Sequence, residues 1–230
     1  MRREGGQATR LQAPAGEGRA VGATRLGEPI ARLHPPSEWR TWANLVTAVR
    51  ALLGAVVFAI AALRHDPVLN YVGLGIYWAL DVLDGYLARR LDQETRLGAQ
   101  LDILSDRLLV TFFYLNVLAL RPETVVPVVL FLLEFCVVDH YLSNQFLRWP
   151  IPSPNYFFEA DRTLWRLNWS PLGKALNTGL VTILLVAVPS PWPAAVAAAA
   201  LLAFKLRSCA LMIRLAPPER HWPSRPRPPR

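Results

Sequence analysis

Residues 81–106 read DVLDGYLARRLDQETRLGAQLDILSD, and they decide the fold because they place four aspartates within sequence that otherwise suits membrane helices. Both halves of the stretch have a helical period of about 100° per residue. The first half carries, at i, i+3, i+4 and i+7, Asp81, Asp84, Gly85 and Ala88. The second half carries, at intervals of four, Gly98, Asp102 and Asp106. The pattern predicts two helices whose polar stripes lie near the connecting loop and can face one another.

The sequence on either side of this stretch is typical of a membrane protein. Of the 230 residues, 53% are hydrophobic and 18% are charged, with a mean hydropathy of +0.24, whereas a soluble domain carries about a quarter charged residues. Six apolar stretches each approach the roughly 20 residues that a spanning helix needs. They are 43–64, 67–90, 99–120, 124–146, 172–189 and 192–213. We predict an all-α, polytopic protein with six transmembrane helices and a polar, metal-containing cavity open to the cytosol.

The basic residues predict the orientation of these helices. The net charge is +8, and Arg residues gather in the N-terminal tail, in the loops after the second and fourth stretches, and at the C-terminal end. The alternate loops hold only Arg64 and Arg121. Because positive charge favours the cytosolic side, we place both termini and the active site in the cytosol of a multi-pass cell-membrane protein. Basic residues that flank apolar stretches are typical of a membrane surface, so no nucleic-acid partner is expected.

Composition divides the chain into three regions. We predict a flexible cytosolic tail at 1–38, a six-helix domain at 39–214, and a basic, Pro- and Arg-rich cytosolic tail at 215–230, because neither tail has the apolar content to form a core. The two cysteines, Cys136 and Cys209, both lie in apolar stretches. The sequence therefore indicates neither a disulfide framework nor a thiolate metal site.

Charged residues inside the predicted spans are candidates for function, because a charge in the hydrocarbon region costs about 2.5 kcal/mol or more. Four carboxylates in one site need cations to stay ionised. Oxygen ligands suit Mg²⁺ or Mn²⁺, and four carboxylates are enough for two ions. Glu134 and Asp139 also fall inside a span. They either lie near a helix end and reach water, form a structural pair with His140, or have a function.

Residues 81–106 fit D-x2-D-G-x2-A-R-x8-G-x3-D-x3-D at every fixed position. This pattern is the signature of the CDP-alcohol phosphatidyltransferase family, which the sequence strongly resembles. Residues 42–50, WANLVTAVR, are similar to the first-helix pattern of the family, with Ala43 where proline is usual. The resemblance extends over roughly residues 40–213 and agrees with the six-helix layout.

The resemblance implies roles for the matching residues. In the family, the motif aspartates hold two divalent ions, and the fourth is also the general base, which makes Asp106 the expected catalytic residue. The metal ligands would be Asp81, Asp84, Asp102 and Asp106. The CDP-lipid pocket would be lined by Asn44, Thr47, Gly85, Ala88, Arg89, Thr95 and Gly98. The expected activity is transfer of a phosphatidyl group from CDP-diacylglycerol to an alcohol hydroxyl in phospholipid synthesis, with release of CMP, by a homodimer.

The acceptor alcohol is less closely defined. Basic residues on the cytosolic side suit a phosphorylated acceptor, although they also fit ordinary positive loops: Arg107, Arg148, Arg162, Arg166 and Lys174. Residues 173–178, GKALNT, resemble a segment of the glycerophosphate and cardiolipin branch. We favour glycerol 3-phosphate and therefore phosphatidylglycerophosphate synthesis, with inositol phosphate and phosphatidylglycerol as the rivals.

A cation transporter and a membrane scaffold are the alternatives to an enzyme. A cation transporter would use the aspartates as a path, but a path predicts carboxylates spread through the membrane depth, whereas these gather at one end. A silent membrane scaffold would need neither four buried carboxylates nor the arginines beside them.

Overall fold

The structure is a computed structural model that describes residues 40–217, and every regular element in that part of the chain is helical. Eight α-helices follow in order: α1 (Trp42–Arg64), α2 (Pro67–Arg90), α3 (Arg96–Leu120), α4 (Val125–Leu133), α5 (His140–Asn144), α6 (Arg162–Asn168), α7 (Pro171–Ala187) and α8 (Trp192–Arg214). A π-helical segment, Glu134–Asp139, joins α4 to α5, and short 3₁₀ turns lie at Pro122–Thr124, Gln145–Arg148 and Pro154–Glu159. The all-α prediction is confirmed.

The helices begin where the sequence supplies caps. The side chains of Thr41 and Thr95 accept hydrogen bonds from the backbone of the first turns of α1 and α3. Asp66 does the same for α2, with Pro67 at the first helical position. Such caps satisfy the N–H groups that a helix leaves unpaired at its start. The cap at Thr95 extends α3 to Arg96, so this helix begins three residues before the predicted apolar stretch.

Five helical segments of the described chain are long and apolar enough to cross a membrane: Trp42–Arg64, Arg96–Leu120, Pro122–Arg148, Arg162–Ala187 and Trp192–Arg214. The protein is therefore a multi-pass membrane protein. The second predicted span is α2, which has 24 residues. It is long enough to cross, but the polar residues that line the cavity make it less apolar than the others. A count of six spans stays a prediction.

The helices place the polar stripes of α2 and α3 together. Helix α1 packs against both α2 and α3, while α8 packs against α4 and α7. An aromatic core lies between these groups and includes Phe58, Phe113, Tyr114 and Phe131. Apolar side chains such as Leu52, Leu63 and Val196 remain exposed on the outside of the bundle, as lipid-facing residues do.

The predicted domain boundaries are partly inside this description. Helix α8 ends at Arg214, the last residue of the predicted six-helix domain. The tail predicted at 1–38 lies outside the described residues, and of the tail predicted at 215–230 only residues 215–217 are described.

Candidate active site

A cavity of about 240 Å³ opens among α1, α2, α3 and α7. Its wall contains all four motif aspartates, Asp81, Asp84, Asp102 and Asp106. It also contains each residue predicted for the CDP-lipid pocket, namely Asn44, Thr47, Gly85, Ala88, Arg89, Thr95 and Gly98. Residues separated by more than 60 positions in the sequence therefore surround one space.

The aspartates form a cluster that suits a metal ion. Asp81, Asp102 and Asp106 each offer a carboxylate oxygen, and these atoms lie within 4.8 Å of one another. Asp84 is more deeply buried, and its carboxylate accepts a hydrogen bond from the Thr47 hydroxyl at 2.9 Å. Carboxylate oxygens drawn from two helices are the donor set that hard divalent cations prefer.

Within residues 40–217, Arg50 is the one cation that contacts all four of these carboxylates. Its guanidinium donates to Asp81, lies 2.6 Å from Asp102 and 3.4 Å from Asp106, and its Nε is 3.7 Å from Asp84. The side chain is fully buried. One guanidinium against four ionised carboxylates leaves an excess of three negative charges, which further cations would offset. The residues present therefore fit a metal-binding role.

From the sequence, Arg50 was given no role in the site, although the residue ends the segment 42–50 that is similar to the first helix of the family. A buried cation is ordinarily paired with acids, so the position of Arg50 in an apolar helix was the signal that could have linked it to the aspartates. Tyr77 was also missed. Its hydroxyl donates to Asp106 at 3.0 Å, and a tyrosine inside an apolar helix gives no sign of such a partner.

The loop between α2 and α3 is held in place beside the cavity by contacts at the start of α3. The Thr95 side chain accepts from the Gly98 backbone at 2.9 Å. A Cβ at Gly98 would lie 2.7 Å from Asn44 Oδ1 and 3.0 Å from Thr95 Oγ1. Glycine is therefore required there for α1 and α3 to approach each other. At Gly85, by contrast, a Cβ would meet only the flexible end of Arg89, at 3.3 Å.

A second loop, from Trp149 to Asp161, contributes Ser153, Pro154 and Asn155 to the lining of the cavity. Arg96 donates to the backbone carbonyls of Trp149 and Ile151. The Tyr156 hydroxyl donates to Glu94, and this hydrogen bond to a carboxylate, with partial burial, raises the pKa of Tyr156 to about 12. These bonds hold the loop beside the start of α3.

The predicted acceptor residues separate into two groups. Arg107 and Lys174 line the cavity. Arg148 does not, and its guanidinium donates instead to Gln145 at 3.2 Å. Arg162 and Arg166 are exposed on α6, away from the cavity wall. The structure thus brings two of the five basic residues to the site.

Arg107 also belongs to a second charged cluster, at the π-helical segment. The Asp139 carboxylate forms two ion pairs. One of its oxygens lies 2.5 Å from the Arg107 guanidinium, and the other lies 2.5 Å from the Lys205 ammonium group. A structural pair with His140 was one of the alternatives that the sequence left for Asp139, and Lys205 belongs to the basic C-terminal end of the sequence. Instead, His140 contacts Asn144, and Lys205 is buried within α8. Glu134, in the same π-helical segment, is fully buried, and neither of its oxygens has a hydrogen-bond partner among the described residues.

The comparisons with known proteins agree with this geometry. Residues 40–207 match the family model described as CDP-alcohol phosphatidyltransferase. The chain is similar to a CDP-diacylglycerol–inositol 3-phosphatidyltransferase of Candida albicans, with 39% identity over 28% of this chain and 27% of the relative. It is similar to a CDP-diacylglycerol–glycerol-3-phosphate 3-phosphatidyltransferase of Aquifex aeolicus, with 33% identity over 39% of this chain and 50% of the relative.

A third relative is the CDP-diacylglycerol–inositol 3-phosphatidyltransferase of Rattus norvegicus, with 35% identity over 35% of this chain and 40% of the relative. The matches to these three span no more than half of each relative's length. No solved structure matches the chain.

Proposed function

Because the chain belongs to the CDP-alcohol phosphatidyltransferase family, we propose that it transfers a phosphatidyl group from CDP-diacylglycerol to an alcohol hydroxyl and releases CMP. The observation that carries the proposal is the shared cavity, in which the residues of the motif and of the first helix surround three clustered carboxylates. The transporter alternative has no support, because the four aspartates converge on one cavity, as a site requires, and do not form a path.

The donor would lie with its nucleotide in the cavity and its acyl chains in the bilayer. Gly98 lets the Asn44 amide lie close against α3 at the cavity wall, and Arg89 brings a guanidinium to the same cavity. A guanidinium is a strong, bidentate partner for phosphate oxygens. These features support a pocket for the cytidine diphosphate group at Asn44, Thr47, Gly85, Ala88, Arg89, Thr95 and Gly98.

The aspartates would hold Mg²⁺ or Mn²⁺, with two ions per site as the number that four carboxylates allow. The ligands would be Asp81, Asp84, Asp102 and Asp106. When bound, such ions neutralise the pyrophosphate and stabilise the charge that develops on the leaving CMP. The excess of negative charge around Arg50 supports this role.

Asp106 is the proposed general base. Its carboxylate takes the proton of the acceptor hydroxyl, whose oxygen forms a bond to the phosphorus that bears the diacylglycerol, while the bond from that phosphorus to the CMP oxygen breaks. Tyr77 donates to Asp106 at 3.0 Å and would hold the carboxylate in a fixed orientation. The products are a phosphodiester lipid and CMP.

Glycerol 3-phosphate is the proposed acceptor, so the product would be phosphatidylglycerophosphate. Lys174 supports an anionic acceptor because it lines the cavity and is exposed within it. Inositol phosphate and phosphatidylglycerol stay as rivals, because the relatives include enzymes of the inositol and the glycerol 3-phosphate type.

The proposed topology follows the distribution of Arg residues. Six helices would cross the cell membrane, namely the five apolar segments given above and α2. The termini and the cavity would face the cytosol. The described helices leave apolar side chains exposed along α8, including Val196 and Ile213, and a homodimer would use such surfaces.

The decisive experiment measures CMP release from CDP-diacylglycerol by the purified full-length protein with Mg²⁺ or Mn²⁺. The acceptors are glycerol 3-phosphate, inositol phosphate, inositol, serine and phosphatidylglycerol. We expect metal-dependent release with one acceptor and its loss, by at least about 10³-fold, in Asp106→Asn. The matched control is Asp92→Asn, the same change at an exposed loop residue whose φ of 52° asparagine tolerates. Absence of release with every acceptor from a folded protein would refute the proposed function.

A further inference from the structure

Four of the residues that line the cavity carry a buried polar atom that the protein itself leaves without a partner. Ser153 Oγ, Asn168 Oδ1, Trp169 Nε1 and Asn177 Oδ1 have no hydrogen-bond partner among the described residues. All four residues are more than nine-tenths buried, and all four contribute to the lining of the cavity. A buried polar group without a partner is unfavourable. Four such groups among the residues around one cavity indicate a place where a bound molecule supplies the missing partners.

The orientation of Asn168 shows which partner is missing there. Its Nδ2 donates to the Leu164 carbonyl at 3.0 Å and to Ser208 Oγ at 3.2 Å. Because a carbonyl oxygen can only accept, the amide nitrogen must face Leu164, and Oδ1 is left as an acceptor. That oxygen needs a donor from the bound molecule.

The four groups together have a chemical preference. Two are amide oxygens that accept, one is an indole N–H that donates, and one is a hydroxyl that does either. Phosphate oxygens at neutral pH offer almost no donors, so they could not satisfy the amide oxygens. Alcohol hydroxyls both donate and accept, so the one non-reacting hydroxyl of glycerol 3-phosphate could serve part of this set, and the several hydroxyls of an inositol phosphate could serve more of it.

Lys174 adds a positive charge to the lining of the cavity, and its ammonium group is exposed and lies within the field of Asp102. It lies three residues before Asn177 on α7, which places both side chains on the same face of the helix, and both line the cavity. The ammonium group suits one anionic group at the end of a polyol.

We propose that Ser153, Asn168, Trp169 and Asn177 recognise the non-reacting hydroxyls of the acceptor, with Lys174 on its anionic group, so that the acceptor is a small phosphorylated polyol. This inference rests on the proposed transferase activity and adds to it the residues that determine specificity. The hydroxyl that reacts would lie towards Asp106. The exposed arginines of α6 take no part.

The test compares each acceptor with an analogue that lacks one non-reacting hydroxyl. For glycerol 3-phosphate the analogue is 3-hydroxypropyl phosphate, which keeps the reacting hydroxyl and the phosphate. For inositol phosphate it is a monodeoxyinositol phosphate. We expect kcat/KM for CMP release to fall by about 10²-fold or more with the analogue, because buried groups made to bind a hydroxyl are left unpaired without it.

The variants Asn177→Leu and Ser153→Ala test whether these residues cause the preference for the polyol over its analogue. Each should lower kcat/KM for the polyol while leaving the analogue nearly unaffected, so that the ratio falls about 10-fold. Asn144→Leu is the matched control, because Asn144 does not line the cavity, and it should leave the ratio unchanged.

Several outcomes would overturn the inference. Equal use of polyol and analogue by the wild type, equal losses for both in the variants, or a preference for phosphatidylglycerol would each show that these residues do not select hydroxyls. In those cases CMP release itself persists and the proposed function stands. Absence of CMP release with every acceptor would refute both.

Discussion

Two clusters of charge lie inside the helix bundle, one at the cavity and one at the π-helical segment, and they differ in sign and in exposure. At the cavity, four carboxylates share Arg50, whereas at the π-helical segment two cations share Asp139. The side chains of Asp81 and Asp102 are 39% and 42% exposed, but those of Asp139 and Lys205 are only 7% and 1% exposed. The first cluster is open to added cations, and the second is enclosed within the protein.

This difference teaches that buried charge serves two purposes in one bundle. The excess of negative charge at the cavity is unfavourable by itself and becomes useful when cations and a pyrophosphate arrive. The ion pairs of Asp139 join α3, the π-helical segment and α8, and they keep Arg107 beside the cavity. Substitutions in the two clusters should therefore affect different properties.

Asp102→Asn should have the largest effect, and it should be on activity. We expect CMP release to fall by at least about 10³-fold, because Asp102 belongs to a set of residues that act as a unit. The apparent melting temperature in detergent should stay the same or rise, because one of four mutually repelling carboxylates is gone.

Asp92→Asn serves as the control for this prediction and should alter neither property. A marked drop in the melting temperature of Asp102→Asn, parallel to the loss of activity, would contradict the distinction between the clusters.

Asp139→Ala should have the next largest effect, and it should be on stability. The substitution leaves Arg107 and Lys205 buried without their acid, and breaking a buried pair in this way costs about 3–5 kcal/mol. For a chain of this size, that corresponds to a fall of roughly 6–20 °C in the apparent melting temperature.

Lys205→Met is the matched comparison. It replaces one cation by an uncharged side chain of similar size and leaves Asp139 paired with Arg107. Its melting temperature should fall by less than half as much as that of Asp139→Ala. If both variants unfold at the same temperature as the wild type, the cluster does not hold the helices together.

The same contrast explains how far the sequence could predict the site. The aspartates of α2 and α3 have helical spacing, a cost in the membrane and a family pattern, so all four were predicted, and they line one cavity. Asp139 shares only the cost in the membrane, and it has neither the helical spacing nor the family pattern. Its partners come from positions 32 and 66 residues away, and only the packing of α8 against the π-helical segment brings Lys205 to it.

The fold shows a similar division. Long apolar stretches predicted the helices well, whereas the caps at Thr41, Asp66 and Thr95, which set where three of the helices begin, were seen only in the structure. The π-helical segment Glu134–Asp139 was not predicted, because its two acids mark charge inside a span and say nothing about the hydrogen-bond pattern of the backbone. Arg162 and Arg166 were proposed as acceptor ligands from their charge alone. Helix α6 leaves both of them exposed, and charge does not indicate which way a side chain on a short helix points.

The smallest predicted effect is a direct test of which cluster binds cations, and it does not depend on catalysis. Mn²⁺ at about 100 times its dissociation constant should stabilise the wild type by about 2.7 kcal/mol. This is a rise of roughly 5–11 °C in the apparent melting temperature. Asp81→Asn removes a carboxylate of the cavity cluster and should reduce the rise, whereas Lys205→Met should keep it in full, because its carboxylates at the cavity are intact. A rise of equal size in wild type and Asp81→Asn would mean that the ion binds elsewhere, and the excess charge around Arg50 would then need another explanation.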